Sequence, residues 1–144
     1  MIKWENKEKY KQEFKEEKIM DRCVECILYN VQKTDRWKYI EGYEEKYRIS
    51  DKGEVQYREN NEKEWKTKKT KMNNGYYCVS LSKSGKIEQK YVHRLVAEAF
   101  IDNTENKETV NHKNGKKICN CVDNLEWMTQ EENNQDYVKR LKNK

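Results

Sequence analysis

Val110-Asn111-His112-Lys113-Asn114-Gly115, then Asn124-Leu125-Glu126-Trp127-Met128-Thr129 and Asn133, is the stretch on which the fold of this chain turns. Glu108 to His112 reads as a strand ending in a polar pair, and Asn114-Gly115 is a strong turn signal. Asn124 to Met128 supplies a second extended segment with Leu125 and Trp127 on one side. Thr129-Gln130-Glu131-Glu132 has the spacing of a capping box, so a helix begins around Gln130 with Asn133 in its first turn or just beyond. The order strand, turn, strand, helix lets the helix pack across the hairpin and point Asn133 back toward Asn111 and His112.

Upstream, Val92, Leu95, Val96, Ala99 and Phe100 recur at three and four residues, which predicts a short amphipathic helix. His93 and Arg94 lie beside its apolar stripe. His93 is either a helix-edge residue bonded to nearby backbone or, with Arg94, a phosphate contact. Residues 34–88 read as short alternating runs. Tyr47-Arg48-Ile49-Ser50 and Glu54-Val55-Gln56-Tyr57 flank Asp51-Lys52-Gly53, a hairpin connection. Lys66 to Lys71 suits a polar edge strand. Asn74-Gly75 precedes Tyr76 to Leu81, where Tyr77, Val79 and Leu81 share a face, and Ser84-Gly85 precedes Ile87 to Tyr91. One antiparallel sheet of three to five strands is expected. Residues 5–31 lack Gly and Pro, and Tyr10, Phe14, Met20, Cys23, Val24, Ile27, Leu28 and Val31 fall at helical spacing.

The 144 residues allow one modest domain or two small modules sharing a core. Hydrophobic residues are 34% and charged residues 40% of the chain, so the core should be thin, although sixteen aromatic residues argue for a folded protein. The net charge of +5 is unevenly spread. Basic groups at Lys66, Lys68 and Lys69, at Lys113, Lys116 and Lys117, and in the tail from Lys139 suit a polyanion, most simply nucleic acid. No apolar run is long enough for a membrane span and no signal-peptide core opens the chain. The expected setting is cytoplasmic, with the five cysteines as reduced thiols. Cys23 and Cys26 form a C-x-x-C that zinc would use only with Cys119 and Cys121, yet the first pair sits in predicted helix without the turn a zinc knuckle needs. Zinc is disfavoured.

With His93 and His112 the only histidines, imidazole chemistry has two possible sites. Phosphodiester hydrolysis needs an activated water, charge stabilisation at phosphorus and help for the leaving oxygen. Histidine serves as general base near neutral pH, and a hard divalent cation supplies the charge. Amide oxygens of Asn111 and Asn133 could hold such an ion, while Asn124 could bond across the loop to orient His112 and fix its tautomer.

These residues resemble the HNH homing endonucleases of phages and mobile introns, whose core is the ββα-metal fold. The resemblance runs through Val92 to Phe100, Val110 to Gly115, Asn124 to Thr129 and Asn133. Upstream, Trp37 to Glu44, Tyr47 to Ser50 and Gly53 to Val55 look like the small DNA-binding module that often precedes that core, so residues 34–136 are covered. The resemblance implies His112 as general base, Asn124 as the residue holding its loop, Asn111 and Asn133 as ligands of Mg²⁺ or Mn²⁺, and double-stranded DNA as partner, in a bacterial or phage setting. Phosphate contacts are assigned to Lys66, Lys68, Lys69, His93, Arg94, Lys113, Lys116 and Lys117. The family's first metal ligand is frequently Asp; here it is Asn111, which weakens Coulomb attraction for the ion. The expected fold is α+β: a helical extension over 1–33, an antiparallel-sheet module over 34–88 and an HNH core over 89–144. The expected function is a metal-dependent DNA endonuclease that nicks one strand per monomer, with dimerisation open. The rivals are a DNA-binding regulator that keeps the scaffold with a weakened metal site, and a zinc-stabilised interaction module.

Overall fold

The computed structural model describes residues 35–43, 45–59 and 62–144; the helix expected over 5–31 and the Cys23 and Cys26 pair lie outside them. Four short strands, β1 (Trp37–Tyr39), β2 (Tyr47–Ser50), β3 (Val55–Tyr57) and β4 (Lys66–Thr67), form an antiparallel sheet in that order. Alternation decides which face is buried: Tyr47 and Ile49 of β2 face the core, while Arg48 faces out. There the Arg48 guanidinium lies 4.3 Å from the ring centre of Trp37 and 4.4 Å from that of Trp65. It also donates from Nε and Nη2 to Gln56 Oε1 on the neighbouring strand, so the outer face of this small sheet is itself ordered.

A second sheet, β5 (Lys71–Asn73), β6 (Tyr76–Lys83) and β7 (Lys86–Tyr91), is a meander. Its two connections are Asn74-Gly75 (φ 53° and 83°) and Ser84-Gly85 (φ 50° and 78°). Successive left-handed residues give the turn whose twist matches a two-residue hairpin. The single sheet of three to five strands is therefore corrected to two sheets, and the expected edge strand from Lys66 to Lys71 is divided between them. The physical reason is local. Lys68 N–H makes the chain's next bond to the first sheet, 2.8 Å to Val55 O, and the Asn74-Gly75 turn then pairs Lys71 to Asn73 with Tyr76 to Cys78.

The meander runs into α1 (Val92–Phe100), whose apolar stripe supplies Val92, Leu95, Val96 and Ala97 to the core. Beyond it, β8 (Thr109–His112) pairs antiparallel with β9 (Leu125–Met128), and α2 (Gln130–Lys142) packs against both. The capping box of α2 is formed in full. Thr129 Oγ1 accepts from Glu132 N–H at 3.1 Å, and a Glu132 carboxylate oxygen accepts from Thr129 N–H at 2.9 Å.

One buried cluster joins all these pieces: Ile49 and Val55 from the first sheet, Val79 and Leu81 from the second, Val96 from α1, and Val110 and Leu125 from the final hairpin. The boundary expected at residue 88 falls inside β7. The β2–β3 turn carries the connection between the first sheet and the final hairpin. Ser50 Oγ accepts the N–H groups of Lys52 and Glu54, and Asp51 O accepts from Val122 N–H at 2.9 Å. Gly53, at φ 83°, lies against Asn120, so an added Cβ would come 3.0 Å from Asn120 Cβ and 3.3 Å from its carbonyl oxygen. Gly53→Ala is expected to cost about 2 kcal/mol, from left-handed backbone strain and crowding at Asn120. Urea unfolding measures the loss, and an unchanged midpoint would show that the turn has room to relax.

Candidate functional site

Four segments meet around His112: the end of β8, the loop 113–121, the start of α1 and the body of α2. His112 is the last residue of β8 and only 5% exposed. Its Nε2 lies 2.9 Å from Asn120 Oδ1. A carbonyl oxygen can only accept, so Nε2 carries the proton and Nδ1 keeps the lone pair. Asn120 is itself 5% exposed and is backed by the Gly53 turn.

Asn124 acts one step further out. Its Oδ1 accepts from Asn114 N–H at 3.0 Å, its Nδ2 donates to Asn114 Oδ1 at 3.0 Å and Cys119 O at 2.8 Å, and its backbone oxygen accepts from Lys113 N–H at 2.7 Å. One side chain thus pins both ends of the loop that leaves His112. The expectation that Asn124 orients the imidazole and sets its tautomer is corrected, because Asn120 occupies that place. Arg140 closes the arrangement from α2: its Nη2 donates to His112 O at 3.2 Å and Lys113 O at 2.9 Å, while Nε pairs with Asp136 at 2.7 Å.

Asn111, 9% exposed, precedes His112, and its Nδ2 donates to Glu126 Oε1 at 3.1 Å across the β8–β9 pair. Among the described residues its carbonyl oxygen receives no hydrogen bond. Asn133 lies in the first turn of α2, with its backbone N–H on Thr129 O at 3.0 Å and a half-buried side chain that makes no hydrogen bond to a described residue. Among the described residues no three of His, Cys, Asp and Glu are grouped as a metal site. The donors on offer are amide oxygens, a set suited to a hard cation that retains several waters. Cys119 and Cys121 are buried and pack with Ile118.

The basic residues fall into distinct settings. Lys113, Lys116 and Lys117 are exposed on the loop that follows His112, with Lys117 Nζ 4.7 Å from the ring centre of Tyr76. Lys66 and Lys69 are exposed and Lys68 half-buried in the segment joining the two sheets; Lys66 pairs with Glu62 at 3.7 Å, and Lys68 Nζ sits 5.6 Å from the ring centre of Tyr57. Arg94 donates to Glu108 O at 3.0 Å and covers Trp127.

Two family models match the chain: a NUMOD4 motif over residues 35–82 and an HNH endonuclease over 90–135. The DNA endonuclease I-HmuI of Bacillus phage SP01 is 40% identical over 105 residues, which cover 72% of this chain and 58% of that protein. Residues 90–135 are an HNH endonuclease domain. An uncharacterized HNH endonuclease of Acanthamoeba polyphaga mimivirus is 42% identical over 98 residues, 68% of this chain and 28% of the relative. A solved structure of DNA binding and cleavage by the HNH homing endonuclease I-HmuI superposes with a TM-score of 0.65 at 39% identity, covering 73% of this chain and 59% of that one. The chain therefore spans about three-tenths to three-fifths of the length of these relatives.

Within this HNH frame, His93 is corrected on two counts. It is 8% exposed, which removes it from the surface set of phosphate contacts, and among the described residues its buried Nδ1 has no hydrogen-bond partner, so the expected bond to nearby backbone is not made there. Its ring lies 5.0 Å from that of His112 and 4.9 Å from that of Tyr76. Burial, then the neighbouring His112, push its pKa from 6.5 down to about 3. His112 is also pushed below its ordinary value, by burial first, against the opposing pull of the Asn120 hydrogen bond. Sequence reasoning missed Asn120, Glu126 and Arg140 as parts of the site. Glu126 stood in the quoted motif, but its partner follows only from strand register.

A depressed histidine pKa stabilises the fold fully above pH 6.5 and progressively less toward pH 3, where the unfolded chain binds a proton that the folded chain refuses. His93→Phe, which keeps a ring in the stack, is expected to lessen the loss of stability between pH 7.5 and pH 5 by about 2 kcal/mol. Urea titrations at the two pH values compare the proteins; equal pH dependence would show that His93 titrates normally.

Proposed function

We propose that this chain is a divalent-cation-dependent DNA endonuclease that hydrolyses a phosphodiester bond with His112 as general base. The observation that carries the reading is the state of the imidazole: Asn120 Oδ1 accepts from Nε2, leaving Nδ1 as the acceptor on the residue that follows Asn111 in β8. His112 Nδ1 takes the proton of a water as it attacks phosphorus. The depressed pKa keeps the base unprotonated at neutral pH. Asn111 and Asn133 would hold a Mg²⁺ or Mn²⁺ ion by their amide oxygens. When bound, that ion stabilises charge on the phosphate and the departing 3′ oxygen. Cleavage leaves a 5′ phosphate and a 3′ hydroxyl. Asn124 and Arg140 keep the His112 loop in place and touch no reacting atom.

Lys113, Lys116 and Lys117, exposed beside His112, supply phosphate contacts at the cleavage site, and Lys66, Lys68 and Lys69 supply a second set. Such contacts position the duplex and give affinity that falls steeply with salt. One chain holds one His112, so a monomer nicks one strand per encounter. The likeness to I-HmuI supports DNA as the substrate.

A second reading, a DNA-binding regulator on the same scaffold, draws on the neutral amide at Asn111, which attracts a cation less than a carboxylate does. A supercoiled-plasmid nicking assay with Mg²⁺ or Mn²⁺ separates the two. Wild-type protein is expected to nick, chelator to abolish nicking, and His112→Ala to slow it by about 10²-fold or more. The acid limb of the rate profile should lie below pH 6.5 at saturating metal. Equal nicking by His112→Ala would remove His112 from the chemistry and leave DNA binding as the function.

A further inference from the structure

Glu126 stands directly opposite Asn111 in the β8–β9 ladder, so both side chains lie on the same face of the hairpin. Its Oε1 accepts the Asn111 amide Nδ2 at 3.1 Å, and Glu126 itself is half-buried. No other described residue bonds the Asn111 side chain.

We propose that Glu126 is the positioning residue that makes Asn111 a cation donor, by holding its amide with the carbonyl oxygen turned away from Glu126 and by supplying the negative charge that Asn111 lacks. The inference rests on the reading of Asn111 as a metal ligand, and it assigns Glu126 no contact with the ion. An amide can be rotated to offer either its oxygen or its NH₂ to a given point, and only the oxygen binds a cation. A carboxylate accepts and cannot donate, so it selects the arrangement in which Nδ2 faces Glu126. The same hydrogen bond draws electron density toward the amide oxygen, and the carboxylate charge acts at close range from beneath the ligand. Residues behind a metal ligand commonly set its orientation and basicity in this manner. Asn111 and Glu126 together then have the charge and the oxygen donor that one aspartate would supply alone.

The pair makes an exchange test possible. Glu126→Gln keeps the shape but loses the charge, and its amide accepts or donates, so it no longer selects one orientation of Asn111. In the double variant Asn111→Asp with Glu126→Gln, the aspartate accepts from the new glutamine amide, and the charge has moved from position 126 to 111. Mn²⁺ binding to the full chain is measured by electron paramagnetic resonance of the free ion, with circular dichroism and thermal melts to confirm folding.

Glu126→Gln is expected to weaken Mn²⁺ binding about tenfold, and the double variant to restore wild-type affinity or better. Plasmid nicking should follow: Glu126→Gln raises the Mn²⁺ concentration for half-maximal rate while the rate at saturating metal stays near wild type. Wild-type affinity in Glu126→Gln would overturn the proposal. A loss that the double variant fails to restore would also overturn it, because Glu126 would then be a ligand in its own right. Asn111→Ala separates the underlying reading. If this variant, or a chain with no measurable Mn²⁺ binding at all, shows that position 111 holds no ion, the metal assignment fails along with the role of Glu126.

Discussion

The docking of the β2–β3 turn against the loop 120–122 is the contact on which the site depends. Val122 N–H bonds Asp51 O at 2.9 Å, and Gly53 lies so close to Asn120 that a methyl group would press on it. Asn120 in turn holds His112 Nε2. The β2–β3 turn and the final hairpin are separated by more than fifty residues of sequence, yet the imidazole proton is placed by a loop that this turn props from behind. A chain whose hydrophobic fraction is only 34% has little apolar area with which to fix two modules separately. Sharing Ile49, Val55, Val96 and Leu125 in one cluster removes that need, and it makes the geometry at His112 a property of the whole fold.

The site is built largely from neutral amides. Asn111, Asn114, Asn120 and Asn124 carry no charge, so they can be packed around a buried imidazole without the desolvation that carboxylates would bring. Each amide has a donor and an acceptor arm, and Asn124 uses both to join Asn114 to Cys119 O. A carboxylate in its place could only accept, leaving Cys119 O without that donor. At Asn111 the neutral amide is bonded to a formal charge, the carboxylate of Glu126.

The hairpin, the capping box at Thr129 and α1 were legible because each is encoded by neighbours in sequence: turn residues at Asn114-Gly115, a hydroxyl and a carboxylate three positions apart, and an apolar period of three to four. Residues acting through space were not. Asn120 reaches His112 only because the loop between them folds back, and Arg140 reaches His112 O only because α2 lies across the hairpin. Neither relation leaves a spacing to read. The division of the strands into two sheets was hidden for a related reason. Alternation reports which face of a strand is buried, while the partner strand is chosen by turn geometry at Asn74-Gly75 and by the bond from Lys68 N–H to Val55 O.

Against the pull of the Asn120 hydrogen bond and of Cys119, burial beside His93 and Tyr76 and the nearby Lys117 and Arg140 cations favour the neutral ring of His112. A phosphate backbone would act in the other direction, because negative charge close to an imidazole stabilises its protonated form. The exposed lysines at 113, 116 and 117 stand where they would offset that field. A basic loop placed here would have two effects that cannot be separated by position: it would attract a polyanion, and it would favour the neutral His112 ring beside one. The depressed pKa of His112 is opposite in sign to the shift that a phosphate would bring, so the two would offset one another.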